Sequence, residues 1–340
     1  MDFDINEVVE YNYKQMGQLY VERNGFNFVS IHHPGNVFNT LLIHPDDAPC
    51  SSPLMPISTH SLEEHIQLID DYNIESVMVI ANSIDFITRC PKLKHVSITP
   101  ADSAGEGFDY SPLYSMSNLK SVYCCTSYGA NREYSTYVDY AKIKGLETVG
   151  VSDPGHKNFR QIETLKSLFV SGLSKCKDTD ITQLFSSKQI DTFTFIQCKI
   201  KSLEGLQKSQ KTQCVYLYYN RSLQDISALC KVKKTLKALC IENCPNITDF
   251  SWLGELENLE YLELMGKNEL EDLSFLASMK NLKTLILGMN VINGDLTPCL
   301  RLSYVFLEKD RKHYNLKNSD LPKGTIVKGN EDIEDFRKTD

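Results

Sequence analysis

The second half of the chain repeats one short pattern of apolar residues. Segments that begin at Leu236, Leu259 and Leu282 share the pattern L-x-x-L-x-(L/I), and their starts are 23 residues apart. One such hexamer arises easily by chance, but a series of them near one period does not. Because one strand and one turn cannot bury these apolar residues alone, the pattern predicts repeats that stack and share a continuous core.

Further repeats are found on both sides when Ile, Val, Phe and Cys are accepted at the Leu positions. Their spacing varies from 19 to 27 residues before Leu165 and from 20 to 25 residues after it. Position nine of several repeats holds a small polar or thiol group, which we expect to bond to the backbone where the chain bends inward. The eleven predicted starts are Ile74, Leu93, Leu119, Leu146, Leu165, Ile190, Thr212, Leu236, Leu259, Leu282 and Leu302. The position-nine residues are Asn82, Cys198, Asn220, Cys244 and Asn290.

A second pattern, Asp-apolar-Ser-x-Leu, begins at Asp225, Asp249 and Asp272. Aspartate favours the start of a helical turn, because its carboxylate accepts the backbone N–H groups two and three residues further on. Each repeat is therefore predicted to pass from a short strand into a capped helical segment. This box, combined with repeats of about 22 residues, resembles the internalin and protein-phosphatase-regulator branch of the leucine-rich repeat proteins, most clearly over residues 212–310.

The resemblance implies an α/β solenoid with a curved parallel β-sheet on its concave side and short helical or 3-10 segments on its convex side. Residues 61–328 are predicted to form this leucine-rich repeat solenoid of about eleven repeats. Residues 1–60 are predicted to be an N-terminal cap or appended region, and residues 329–340 a charged C-terminal tail.

The two ends of the solenoid carry their own signals. Ser61 and Glu64 fit a capping box at the start of a helix. Upstream, the segments 26–31 and 37–43 alternate as two strands joined by a turn. Downstream, residues 316–328 are expected to close the sheet, since an open repeat core must be capped.

Charge is distributed unevenly along the chain. The net charge is −8, and residues 1–72 alone contain Lys14 and Arg23 against eleven acidic residues. A nucleic-acid-binding protein needs a clustered basic face, which this sequence lacks, so no nucleic-acid partner is predicted. No apolar run is long enough for a membrane helix and no signal peptide is evident, so we expect a cytoplasmic protein without membrane contact.

The eleven cysteines do not form a metal or redox motif. Their number is odd, and Cys124-Cys125 is the only close pair. Packed, reduced thiols are therefore predicted in place of a disulfide framework. Cys198 and Cys244 are interpreted as position-nine residues of the repeats, not as nucleophiles.

Catalytic and cofactor motifs are weak. His32, His33, His44, His60 and His65 lie near the N-terminus, but their spacing matches no common metal-binding motif, and neither a metal nor another cofactor is predicted. Asp153-Pro-Gly-His156 is interpreted as a turn. One enzymatic hypothesis stays open: residues 1–60 hold an active site and the solenoid serves as a receptor for the substrate.

The favoured hypothesis is a non-enzymatic, monomeric, bacterial-type module that binds another protein as an adaptor, regulator or inhibitor. Positions three, five and seven of each repeat point away from the core onto the concave sheet. Aromatic and apolar residues are frequent there, as they are in the centres of interfaces. The alternative is that the early repeats are out of register and that some of these residues belong to the core. The predicted partner-binding residues are Tyr123, Phe169, Tyr216, Tyr218, Tyr261, Glu263, Met265, Tyr304 and Phe306.

Overall fold

The computed structural model of the chain describes residues 20–29, 40–48, 55–124, 136–152, 155–172 and 180–326. The chain divides into two compact units, residues 1–164 and residues 165–340. The His32-His33 turn, Asp153 and the predicted charged tail lie outside the described residues. Within the described part of the chain, none of the helices combines the length and the apolar character needed to cross a bilayer.

The first unit contains a sheet that is mixed at its N-terminal edge and parallel beyond it. β1 pairs with β2 and β2 with β3 in antiparallel fashion, whereas β3 to β7 follow one another as parallel neighbours. The strands are β1 (Tyr20–Arg23), β2 (Phe26–Val29), β3 (Thr40–Ile43), β4 (Ser76–Ala81), β5 (His95–Pro100), β6 (Ser121–Cys124) and β7 (Thr148–Val151). The 3-10 helices are Asp85–Arg89, Asp102–Gly107, Ser111–Ser115, Tyr140–Lys142 and Phe159–Gln161.

The N-terminal elements agree with most of what the sequence predicts. Strands β2 and β3 fall within the two predicted strands, and helix α1 (Leu62–Asp71) begins with the Ser61–Glu64 capping box. Strand β1 was not predicted. In addition, β3 is parallel to β4, with Leu41 beside Val77, so it extends the ladder of repeat strands ahead of Ile74.

The second unit contains a sheet whose strands are all parallel. Neighbouring strands follow the order of the chain, apart from a separate two-stranded ladder of β13 and β15. The strands are β8 (Ser167–Ser171), β9 (Thr192–Ile196), β10 (Cys214–Tyr218), β11 (Ala238–Glu242), β12 (Tyr261–Met265), β13 (Glu269–Leu270), β14 (Thr284–Leu287), β15 (Asn290–Val291) and β16 (Tyr304–Leu307). The 3-10 helices are Leu206–Lys208, Ser227–Val232, Ser251–Glu255, Ser274–Ala277, Thr297–Arg301 and Asn318–Asp320.

The register of the strands confirms all eleven predicted starts. Position three of one repeat pairs with position three of the next, for example Cys214 with Ala238 and Ala238 with Tyr261. The irregular early repeats obey the same rule, since His95 pairs with Ser121. The alternative that these repeats are out of register is therefore wrong within the first unit. In both units, positions one, four and six supply the buried aliphatic core.

After β9, β10 and β11 the backbone turns away from the strand through a left-handed residue at position eight. Gln197, Tyr219 and Asn243 have φ values of 52°, 56° and 50° in three consecutive repeats. Such values are uncommon for residues with a side chain. Their recurrence shows that the stacked backbone, and not a glycine, imposes the turn at these positions.

All five position-nine residues were predicted to bind the backbone, and the prediction is confirmed for four of them. The amide of Asn220 donates to the carbonyl of Phe195 at 2.7 Å and accepts from the N–H of Cys198 at 2.8 Å. The thiols of Cys198 and Cys244 donate to carbonyl groups, and Asn82 donates to the carbonyl of Asp47. Asn290 differs, because its amide donates to the carboxylate of Glu269 at 2.9 Å.

The Asp boxes begin 3-10 helices. The carboxylates of Asp225, Asp249 and Asp272 each accept the N–H of the Ser two residues on, at 3.0, 2.9 and 2.7 Å. The same bond occurs at Asp109 and Asp295, which the sequence analysis did not include. The box is therefore broader than Asp-apolar-Ser-x-Leu, and its third position accepts Ser or Thr.

The C-terminal segment contacts the last strand, where closure of the sheet was expected. Lys323 forms an antiparallel bridge with Tyr304, and the N–H of Val305 donates to the carbonyl of Pro322 at 2.9 Å. The 3-10 helix Asn318–Asp320 precedes this contact. The final strand is therefore paired along its outer edge, which leaves fewer of its backbone groups unbonded.

Candidate functional site

The candidate site lies on the side of the second unit's sheet opposite its aliphatic core. We call this surface the outer face; it consists of positions three, five and seven of the repeats that contain β8 to β12, β14 and β16. Parallel register places equivalent positions side by side, so Tyr218, Glu242 and Met265 form one row. Neighbouring strands lie about 4.8 Å apart, which brings these side chains within contact of one another.

The predicted partner-binding residues differ in how much surface they expose. Tyr216 and Tyr261 are buried, with 1% and 7% of their surface exposed. The remaining predicted residues of the outer face are half-buried: Phe169, Tyr218, Glu263, Met265, Tyr304 and Phe306. Tyr123, the one member in the first unit, is also half-buried, and its ring covers Gly150 on the next strand. Whether these nine residues bind a partner remains a prediction.

Tyr216 and Tyr218 form a stacked pair along β10. Their ring centroids are 6.4 Å apart and their planes differ by 5°. Burial holds the pKa of both hydroxyls well above the ordinary value of tyrosine. Both phenols therefore remain neutral, and Tyr216 serves mainly as a packed support for the more exposed ring of Tyr218.

Tyr261 and Glu263 form the second pair, along β12. The Tyr261 hydroxyl donates to Oε2 of Glu263 at 2.5 Å. Burial raises the pKa of Glu263, and the negative charge of Glu242 raises it further. A carboxyl group with this environment gains when a positive charge approaches, because the charge offsets both the lost hydration and the repulsion.

At the C-terminal end of the outer face, a lysine of the chain covers two aromatic rings. Nζ of Lys323 lies 5.5 Å from the centroid of Tyr304 and 6.0 Å from that of Phe306. The same ammonium donates to Oδ1 of Asn318 at 2.7 Å. The aromatic residues of this face thus already hold one cation, in the geometry of a cation–π contact.

Four residues of interest were missed by the sequence analysis. Tyr219 follows β10 in the left-handed conformation, is 42% exposed, and has a raised pKa because of its hydrogen bond with Glu242. Glu242 and Glu308 occupy position seven of their repeats, and Gly288 lies in the row between Met265 and Glu308. Tyr219 occupies position eight, so a search of positions three, five and seven does not find it. The carboxylates of Glu242 and Glu308 occupy position seven and could have been found by that search.

The described thiols are suited to packing. Cys90, Cys240, Cys244 and Cys299 are buried and Cys230 is half-buried. Burial raises the pKa of Cys244 to about 11 and that of Cys299 to about 12. These thiols are protonated near neutral pH and are therefore poor nucleophiles. Cys50, Cys125 and Cys176 lie outside the described residues.

The N-terminal region contains a cleft of about 470 Å³ lined by Asp46, Asp47, His60 and His65. His60 stacks on the ring of Phe26, its ring nitrogens contact Glu64 and the carbonyl of Asn24, and the Asn24 bond raises its pKa. Burial lowers the pKa of His65. Among the described residues, no group of three or more His, Cys, Asp or Glu side chains could hold a metal ion.

The strand register, the buried repeat positions and the 3-10 connections together decide the fold. The chain folds as a leucine-rich repeat protein. The parallel strands and the 3-10 helices between them confirm the leucine-rich repeat fold that the Asp box and the repeat length implied. No protein-family model matches the chain, and no curated protein matches it.

Three solved structures illustrate the similarity. An internalin of Listeria monocytogenes is 19% identical, with a TM-score of 0.46 over 69% of this chain and 66% of its own length. Internalin C2 of the same organism is 20% identical, with a TM-score of 0.36 over 55% and 84%. A leucine-rich repeat protein of Leptospira interrogans is 10% identical, with a TM-score of 0.28 over 73% and 81%.

Proposed function

We propose that the chain is a non-enzymatic module that binds another protein on the outer face of its second unit. The observation that carries the proposal is the set of half-buried aromatic and thioether side chains on that face, which includes Tyr218, Met265, Tyr304 and Phe306. Aromatic residues and methionine are enriched in the centres of protein interfaces. Extended sheet surfaces of this kind are what solenoid repeat proteins use for binding.

Packing within the face favours the proposal. Tyr218 is held by the stacked ring of Tyr216, and Tyr261 is fixed by its bond to Glu263. Side chains that are already ordered lose little entropy when a partner covers them, so more of the contact energy appears as affinity. The buried residues thus support the exposed ones in binding.

The burial of the described free thiols supports a further proposal about compartment. Packed thiols are compatible with a reducing environment, and we propose that the protein works in the cytoplasm with its cysteines reduced. The enzymatic hypothesis gains less support, because the described histidines of the N-terminal cleft bond to structural neighbours of their own region.

A comparative capture experiment tests the proposed function. The full chain, immobilised and exposed to an extract of the cells that produce it, should retain a protein that quantitative mass spectrometry identifies. Phe306→Ala and Tyr218→Ala should reduce its recovery at least tenfold, because they remove anchors from the face. Trp252→Ala, on a 3-10 helix outside the sheet, is the matched aromatic control and should recover it fully. Equal recovery with all three variants would contradict the proposal.

A further inference from the structure

The charges of the outer face are of one sign. Its strand positions carry three glutamates, Glu242, Glu263 and Glu308, and neither lysine nor arginine. Basic residues are abundant elsewhere in the second unit, for example in Lys231-Val-Lys233-Lys234. The strand positions of the face therefore hold acidic side chains and no basic ones.

Three glutamates on other surfaces of the second unit are paired with lysine. Glu204 contacts Lys231 at 2.7 Å, Glu255 contacts Lys233 at 3.0 Å, and Glu260 contacts Lys283 at 2.6 Å. Across the described residues, no ion pair involves the three glutamates of the outer face. The ion pairs among the described residues of the second unit thus involve glutamates outside the face and none on it.

Glu242 and Glu263 are half-buried beside Tyr218, and burial together with the charge of Glu242 raises the pKa of Glu263. The ionised form of Glu263 is thus destabilised by lost hydration and by repulsion from Glu242. A cation that binds between them relieves both costs, and a planar guanidinium can also stack on the phenol ring.

Over Gly288, the side chains of Met265 and Glu308 come together and extend this acidic surface. A methyl group placed on Gly288 would lie 2.7 Å from Oε2 of Glu308 and 2.7 Å from Sδ of Met265. The missing side chain thus lets a carboxylate and a thioether approach the same point from two strands. A lysine or arginine side chain that lies over this pair would place its methylene stem against Met265 and its charged head against Glu308.

The chain itself provides an example of such a contact. Lys323 places its ammonium over the rings of Tyr304 and Phe306 at the C-terminal end of the same face. The surface around Tyr218 and Glu242 has the same aromatic character with carboxylates added. It therefore offers a cation both aromatic rings and negative charge.

We propose that this part of the outer face, formed by Tyr218, Glu242, Glu263, Met265 and Glu308, binds an arginine or lysine side chain of the protein partner. The inference rests on the proposed function, since it specifies which partner chemistry the outer face accepts. A basic residue flanked by apolar residues is the segment that the surface recognises: the charge meets the carboxylates, and the apolar neighbours cover the rings.

Displayed random peptides provide a defined probe. Peptides are selected on the immobilised full chain, and their affinities are then measured for two triple variants. The face variant is Glu242→Gln, Glu263→Gln and Glu308→Gln. The control variant, which changes the net charge equally, is Glu204→Gln, Glu255→Gln and Glu260→Gln. Thermal unfolding verifies that both variants are folded.

The selected peptides should be enriched in Arg and Lys beside apolar residues. Their affinity should fall about tenfold or more for the face variant and less than twofold for the control variant, with the difference shrinking as salt is added. Peptides without basic enrichment, equal affinity for the two variants, or the absence of any binder would overturn the inference.

Alanine variants separate this inference from the proposed function. One outcome is that the peptides lose affinity for Tyr218→Ala and Phe306→Ala but not for the face variant. In that case the outer face is still the binding surface, but its preference for a basic residue is refuted. Peptides insensitive to all of these changes bind elsewhere, and they refute both.

Discussion

The two units of the chain contain repeats of different regularity that produce the same strand register. Starts in the first unit are 19 to 27 residues apart, whereas those in the second are 20 to 25 residues apart. Nevertheless, Ser121 aligns with Thr148 in the first unit just as Tyr261 aligns with Thr284 in the second. The apolar hexamer, not the period, therefore sets the register, and the connecting segments absorb the difference in length.

The largest effect is expected from Leu→Ala substitutions in the core. They test whether the core of the irregular repeats is as well packed as that of the regular ones. Leu146 in the first unit and Leu262 in the second are both fully buried. Replacing either with Ala should lower the free energy of unfolding by roughly 2–5 kcal/mol, because each leaves a cavity in a shared core. Urea denaturation measures the two losses. A loss below about 1 kcal/mol for Leu146→Ala alone would show that the early repeats stack loosely.

A pair of glycines in the two sheets provides the next test. A methyl group on Gly150 would lie 1.6 Å from a ring carbon of Tyr123, whereas one on Gly288 would meet only the flexible ends of Met265 and Glu308. Gly150→Ala should therefore cost about 1–3 kcal/mol by overpacking, and Gly288→Ala much less. The difference in urea midpoint is the measurement, and equal midpoints would contradict the placement of the Tyr123 ring.

A smaller effect is expected from the aspartates that precede 3-10 helices in both units and accept a backbone N–H of the first helical residue. The hydroxyl and N–H of Ser111 lower the pKa of Asp109, and those of Ser251 lower the pKa of Asp249, from an ordinary value of 3.8. Since the folded pKa is lowered, the stabilisation is present above the unfolded pKa and is lost as pH falls through the folded one. Asp109→Asn with Asp249→Asn should therefore flatten the fall in stability from pH 5 to pH 3.

The control for this experiment is the parent chain, measured by urea denaturation at the same two pH values. An identical fall in stability for the parent and the double variant would mean that these carboxylates do not stabilise the 3-10 helices.

The smallest effect concerns the thiols and leaves stability unchanged. A thiol reagent applied to the native chain at pH 8 should label the half-buried Cys230 before the buried Cys90, Cys240, Cys244 and Cys299, which are shielded and protonated. In denaturant without reductant, all eleven cysteines should react. Fewer than eleven would indicate disulfides and refute the proposal of a reducing compartment.

The sequence predicts the repeats because their signal is local. Leu236, Leu239 and Ile241 are spaced as a buried strand requires, and no distant residue is needed to recognise them. The burial of Tyr216 could not be predicted in this way, since it depends on neighbours such as Thr194 and Cys240, which lie 22 and 24 residues away. The meeting of Met265 and Glu308 over Gly288 was missed for the same reason, because it is visible only when the neighbouring strands are placed side by side.

Photo-crosslinking with the captured partner tests the location of the binding surface most directly. A photoreactive phenylalanine analogue is placed at Met265, on the outer face, or at Trp252, outside the sheet. The partner should become attached through position 265 and not through position 252. Attachment through position 252 alone would contradict the claim that the outer face of the second unit binds the partner.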